Sequence, residues 1–144
     1  MDSLGNDTLN RLFSEMDEAL RKLNGFSKFQ MEAFLAHEEM IDAAKYDFIV
    51  AIEAMIDICN RIISVDKLGY PQDYSDMIRL MGEKGQFQEN LVKQLIEMVK
   101  FRNLLVHLYW EVENEKLYEY LKNNLGDFEA FKSAIRNYLK NREG

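Results

Sequence analysis

One proline, one cysteine, two histidines and seven glycines are spread over 144 residues, and each scarcity excludes something. With Pro71 alone, nothing interrupts long helices elsewhere in the chain. Cys59 has no partner for an intrachain disulfide, and among Ile56, Ile58, Ile62 and Ile63 it reads as a small packing hydrophobe. Two histidines far apart, with one cysteine, make no zinc-ligand pattern, and no glycine-rich run resembles a phosphate loop. No metal or cofactor is therefore expected. No apolar run approaches the ~18 residues that suggest a membrane span, and residues 1–7 do not read as a secretory signal. A cytoplasmic chain without membrane contact is the expectation. The formal net charge of −7 argues against a general nucleic-acid binder, which would display a basic stripe.

What is present is the balance of a globular protein, since 47% hydrophobic and 30% charged residues suit a packed core rather than disorder. Abundant Glu, Lys, Leu, Met and Ala favour helix throughout, and the length suits one domain, 1–144. Leu9, Leu12, Phe13, Met16, Leu20 and Leu23 recur at three- and four-residue spacing after Asp7, predicting a first helix closed by Asn24 and Gly25. Ser27 and Gln30 read as a capping box opening a pattern that runs to Val65 with a break near His37. His37, beside Glu38 and Glu39, reads as solvated. Leu68 to Pro71 is a loop. A short helix starts at Asp73 or Ser75 and runs through Met81, and Gly82 and Gly85 mark the next turn. A long helix follows from Phe87 to Trp110 or Val112. Asn114 opens another through Leu121, and Gly126 and Asp127 separate it from a last one through Leu139. Short connections predict an all-α, up-and-down bundle of four to five helices.

Charge is distributed unevenly. Glu32 to Asp57 carries seven acidic residues against Lys45 alone, whereas Arg61 to Tyr109 carries seven basic residues against six acidic ones. Within the acidic half, Glu53, Asp57 and Arg61 form a ladder at four-residue spacing, read either as a solvated ladder in which Asp57 and Arg61 pair or as groups buried at a subunit contact.

The chemistry concentrates in Lys100 to Tyr109. At ~100° per residue, Arg102 and Tyr109 would lie within about 20° of each other on one helix. They would share the stripe of Leu91, Leu95, Met98, Leu105 and Val106, where a cation is rarely left without a partner. Asn103 and His107, one turn apart, border that stripe and can touch. Taken singly, His107 reads as a satisfied histidine, Arg102 as a structural ion pair and Tyr109 as a packed aromatic with its hydroxyl at the surface. Together they hold parts that metal-free RNA cleavage by internal transfer needs: a histidine able to take the 2′-hydroxyl proton, and an arginine that stays charged and can grip phosphate oxygens. One set is incomplete. A twofold dimer would add a second histidine and cover the exposed apolar strip.

Arg102-Asn103, three residues, His107, one residue and Tyr109 resemble the Arg-polar-x-x-x-His signature of HEPN domains, and specifically the HepT-like toxins with their His-x-Tyr extension. The likeness extends over most of the chain, including the helix from Tyr46 to Ile63, the loop at Pro71 and the two closing helices. It implies a helical bundle that dimerises through its motif-bearing helices and cleaves RNA without metal, beside a minimal nucleotidyltransferase antitoxin. On that resemblance Arg102 stabilises the scissile phosphate, His107 is general base or acid, and Asn103 orients His107 or the phosphate. Tyr109 receives adenylyl groups whose charge and bulk block RNA entry. The segment from Phe26 to Glu39 is longer than expected of a minimal member. Two other classes fit the same residues: a non-catalytic nucleotide- or partner-binding subunit of a nucleotidyltransferase complex, and a purely structural helical dimer in which Arg102 is an ion-pair residue.

Overall fold

The computed structural model describes residues 5–143, all helix and connection with no strand among them. Residues 1–4, part of the stretch read as lacking a secretory signal, lie outside the described residues. Helix α1 (Asn6–Phe26) buries Leu9, Leu12, Met16, Ala19, Leu20 and Leu23, the one-sided stripe its spacing predicts. Gly25 falls inside its last turn rather than ending it. The expected capping box at Ser27 does not form: its hydroxyl donates to the Asn24 carbonyl at 2.7 Å, closing α1, and Gln30 stands before α2 (Met31–Leu35) without a side-chain cap. The chain breaks at His37, where Nδ1 donates to the Ala33 carbonyl at 2.8 Å and satisfies an acceptor that the end of α2 leaves open. His37 is exposed, as its acidic neighbours suggested.

Helix α3 (Glu38–Val65) is the central rod, packed against α1, α4 (Tyr74–Lys84) and α5 (Glu89–His107). Phe48, Ile52, Met55, Ile58, Cys59 and Ile62 are fully sequestered along it. Burial pushes the Cys59 thiol well above its usual range, so it packs and does not react. Helix α4 (Tyr74–Lys84) is opened by Asp73, whose carboxylate accepts from Asp76 N–H at 2.7 Å, while Asp76 reaches back to Gln72 N–H at 2.9 Å. It continues past Met81 because Gly82 is a contact rather than a stop: a Cβ there would lie 2.6 Å from Val92 Cγ2 of α5. Gly85 makes the turn instead.

Helix α5 (Glu89–His107) stops short of the expected Trp110. Leu108 leaves helical geometry at φ −135°, ψ 48°, and Tyr109–Glu111 form a single 3-10 turn anchored by buried Val112. Helices α6 (Asn114–Asn123) and α7 (Leu125–Glu143) close the fold, the latter opening at Leu125 with Gly126 inside its first turn. One continuous core joins α1 through α7. Polar ties fasten the later helices to the earlier ones. Tyr118 Oη donates to the Phe29 carbonyl at 2.5 Å, Lys132 Nζ reaches Asp17 at 2.5 Å, and Arg142 Nε and Tyr138 Oη both donate to Asp66. Among the described residues no helix is long and apolar enough to cross a membrane.

Candidate functional site

Arg102 lies on the face of α5 that meets α3. Its side chain is 16% exposed, with Nη2 donating to Glu53 Oε2 at 2.8 Å and Nη1 to Asn103 Oδ1 at 3.0 Å. The Tyr74 ring stands 5.6 Å from the guanidinium carbon. Arg102 Nε is buried and donates to no protein group among the described residues. A fork gripped at two tips has little freedom to turn, which is how a flexible arginine becomes a fixed charge. Beneath it, Phe101 stacks on Tyr120 at 4.4 Å and meets Phe48 edge-on at 5.5 Å, so the backbone carrying the site rests on rigid aromatics.

The partner that the buried cation required is thus Glu53, from the acidic ladder of α3. Glu53 is half-exposed and Asp57 exposed, so the ladder is neither fully solvated nor buried within one copy. Partial desolvation and the neighbouring Glu53 charge hold the Asp57 carboxyl above its ordinary range. Asn103, read as a partner for His107 or for phosphate, is hydrogen-bonded to Arg102 instead. His107 is exposed at the last position of α5. It stands about 7.5 Å along the axis and about 140° around it from Arg102, on ideal geometry. The guanidinium therefore faces α3 while the imidazole faces solvent.

Tyr109 does not share a helical face with Arg102, because the helix ends before it. Its hydroxyl donates to Asp42 Oδ1 of α3 at 2.8 Å. The break explains this reach. From Glu53 to Asp42, α3 advances about 16 Å, whereas seven further residues of α5 helix would advance only about 10 Å. Unwinding at Leu108 supplies the difference. Lys45 lies over the Tyr109 ring, 4.3 Å from its centroid. Burial, then the Asp42 carboxylate, push the phenol up to about 12.

Glu53, Ile56, Asp57, Tyr74 and Arg102 line a hollow of about 190 Å³. That is below the ~300 Å³ of ordinary small-molecule sites, too small to enclose a nucleotide. Val106, Leu108 and Trp110 are exposed, Trp110 by 77%, an apolar rim along the same stretch of chain as His107 and Tyr109. No group of three His, Cys, Asp or Glu side chains is arranged to hold a metal ion among the described residues. Glu53 was singled out in the sequence, but not as the guanidinium's partner, and Asp42 and Lys45 entered only the charge balance, not the candidate site. The signal for Glu53 and Asp42 was available, since their eleven-residue separation places both on one face of α3.

Residues 16–135 match the family model described as Ribonuclease HepT-like. A curated relative, the mRNA nuclease HepT of Shewanella oneidensis, is 34% identical over 84 residues, 58% of this chain and 63% of that protein. The match thus spans less than two thirds of the relative's length. Among solved structures, a tri-AMPylated Shewanella oneidensis HEPN toxin in complex with its MNT antitoxin superposes with a TM-score of 0.81 at 24% identity, covering 94% of this chain and 98% of that one. A toxin-antitoxin complex with AMP-PNP gives 0.83 at 24%, covering 90% and 98%. YutE of Bacillus subtilis, a cytosolic protein of unknown function, gives 0.84 at 19%, covering 99% and 95%. At these identities the structural matches speak to the fold, whereas the family model spans most of the sequence. The chain belongs to the HepT-like ribonuclease family.

Proposed function

We propose that this chain is a metal-independent endoribonuclease toxin, one domain over 1–144, acting in the cytoplasm at a cleft shared by two copies. A nucleotidyltransferase antitoxin neutralises it by adenylylating Tyr109. The observation that carries the reading is Arg102, a guanidinium fixed by Glu53 and Asn103, with an exposed imidazole at His107 farther along the same helix. Family membership supports the reaction class, and the small hollow and apolar rim support a site completed by a second copy.

In this cleft His107 takes the proton of a ribose 2′-hydroxyl, and the 2′-oxygen attacks the adjacent phosphorus. The bond to the 5′-oxygen breaks, and a second imidazole, from the other copy, returns a proton to that oxygen. Arg102 holds the charge gathering on the phosphoryl oxygens, and Asn103 and Glu53 hold Arg102. The product end is a 2′,3′-cyclic phosphate. Adenylyl groups on Tyr109 place phosphate charge and bulk beside His107 and close the cleft.

Induced expression of the wild-type chain arrests growth, and Arg102→Ala and His107→Ala at equal protein levels do not. Equal behaviour of all three removes the reading. The competing class, a non-catalytic binding subunit, requires instead that His107→Ala leave every phenotype intact while Arg102→Ala abolishes complex formation.

A further inference from the structure

The Tyr109 hydroxyl rests on two residues that RNA cleavage does not use. Asp42 Oδ1 accepts its hydrogen at 2.8 Å, and Lys45, three residues on along α3 and only 6% exposed, places its ammonium 4.3 Å from the ring centroid. Among the described residues, Lys45 has no carboxylate or hydrogen-bond partner. A lysine this buried is seldom left unneutralised. One phenol therefore has a proton acceptor on its oxygen and an unspent cation over its face.

Resting on the reading that Tyr109 is modified, we propose that Asp42 and Lys45 form the reception site for nucleotidyl transfer to Tyr109. Asp42 acts as the proton acceptor and Lys45 as the counter-ion of the new phosphodiester. The phenolic oxygen attacks the α-phosphorus of a nucleoside triphosphate. The bond from that phosphorus to the bridging oxygen breaks, pyrophosphate leaves, and the phenolic proton passes to the Asp42 carboxylate and on to solvent. Tyr109 is protonated at neutral pH, burial and Asp42 having pushed it up to about 12, so the attack needs an acceptor in contact, and Asp42 is that contact. After transfer the oxygen has no hydrogen to donate, and the diester charge repels Asp42.

The test uses the purified chain with the Shewanella oneidensis MNT antitoxin, ATP and magnesium, reading AMP at Tyr109 by intact mass and peptide mapping. Asp42 is exposed, so Asp42→Asn should fold, which circular dichroism verifies. At saturating ATP, Asp42→Asn slows incorporation about 100-fold, the usual worth of a positioned base, with the KM for the toxin within about twofold of wild type. Asp42→Glu recovers part of the rate, and Lys45→Met slows it about tenfold. Wild-type rates in both Asp42→Asn and Lys45→Met overturn this inference and leave the modification standing. No modification of the wild type overturns the modification reading as well.

Discussion

Arg102 is the residue where packing meets the proposed chemistry, because the fork that holds it to α3 would also fix the charge that the proposed reaction offers to a phosphate. Its two tips reach different acceptors, Glu53 at 2.8 Å and Asn103 at 3.0 Å, and a single ammonium cannot span both in that geometry. Arg102→Lys therefore keeps the charge and loses the positioning. RNA cleavage should fall at least about tenfold, roughly the loss of one charge-assisted bond, with RNA affinity measured by filter binding nearly unchanged. Glu53→Gln should leave the fold intact but loosen the guanidinium, lowering the rate about tenfold at saturating RNA. If either variant cleaves at the wild-type rate, the ion pair plays no part in positioning. The sequence made Arg102, Asn103, His107 and Tyr109 visible through their types and spacing. It did not show that Asn103 serves Arg102, since two neighbours on a helix have many acceptors in reach and only the packed rotamers choose among them.

At the scale of elements, long helices were legible and their ends were not. The stripe of α1 and the apolar breadth of α3 follow from residue spacing, and the structure buries those same faces. The end of α5 was missed because Leu108, Tyr109 and Trp110 continue an apolar pattern that local sequence cannot tell from helix. What stops the helix is tertiary: Val112 is drawn into the core and the Tyr109 hydroxyl is held by Asp42, 67 residues away. Gly82 misled in the opposite direction, read as a break when it marks where α4 and α5 touch. Gly82→Ala puts a methyl 2.6 Å from Val92 Cγ2 and should cost about 1–3 kcal/mol by denaturant titration, as overpacking does. Asp73→Ala removes the α4 cap at 2.7 Å and should cost about 1 kcal/mol by the same method. Gly82 packs against Val92, about three turns of α5 before Arg102, so its change should leave the rate of cleavage by folded protein unaltered.

The whole molecule is fastened at its far end through Asp66, which joins the end of α3 to α7. Burial alone would raise the Asp66 carboxyl, but hydrogen bonds from Arg142 and Tyr138 outweigh it and hold it below its ordinary value. A carboxyl lowered in the folded state lends stability that is complete above its unfolded value of about 3.9 and fades as pH falls through the folded one. Tyr138 is pushed the other way, up to about 12 by burial and by Asp66, so its share is complete below about 10 and fades as pH rises through 12. The Tm difference between wild type and Asp66→Asn should therefore be widest between about pH 4 and 10 and shrink outside that window. A constant difference across the range would mean that the clasp is not electrostatic. That a single core spans α1 to α7 was readable from length and composition, whereas these long-range ties were not, because residues 66, 138 and 142 share no pattern in the sequence.

On the proposed reading, a fixed guanidinium and an exposed imidazole, completed by a second copy, cut RNA by internal transfer. The most direct measurement is the chemistry of the cut end: purified wild type is incubated with RNA in the presence of EDTA, and the fragments are analysed by mass spectrometry. Wild type should yield fragments ending in 2′,3′-cyclic phosphate, and Arg102→Ala and His107→Ala should yield none. Fragments ending in a free 3′-hydroxyl, or equal cutting by either variant, would contradict that reading.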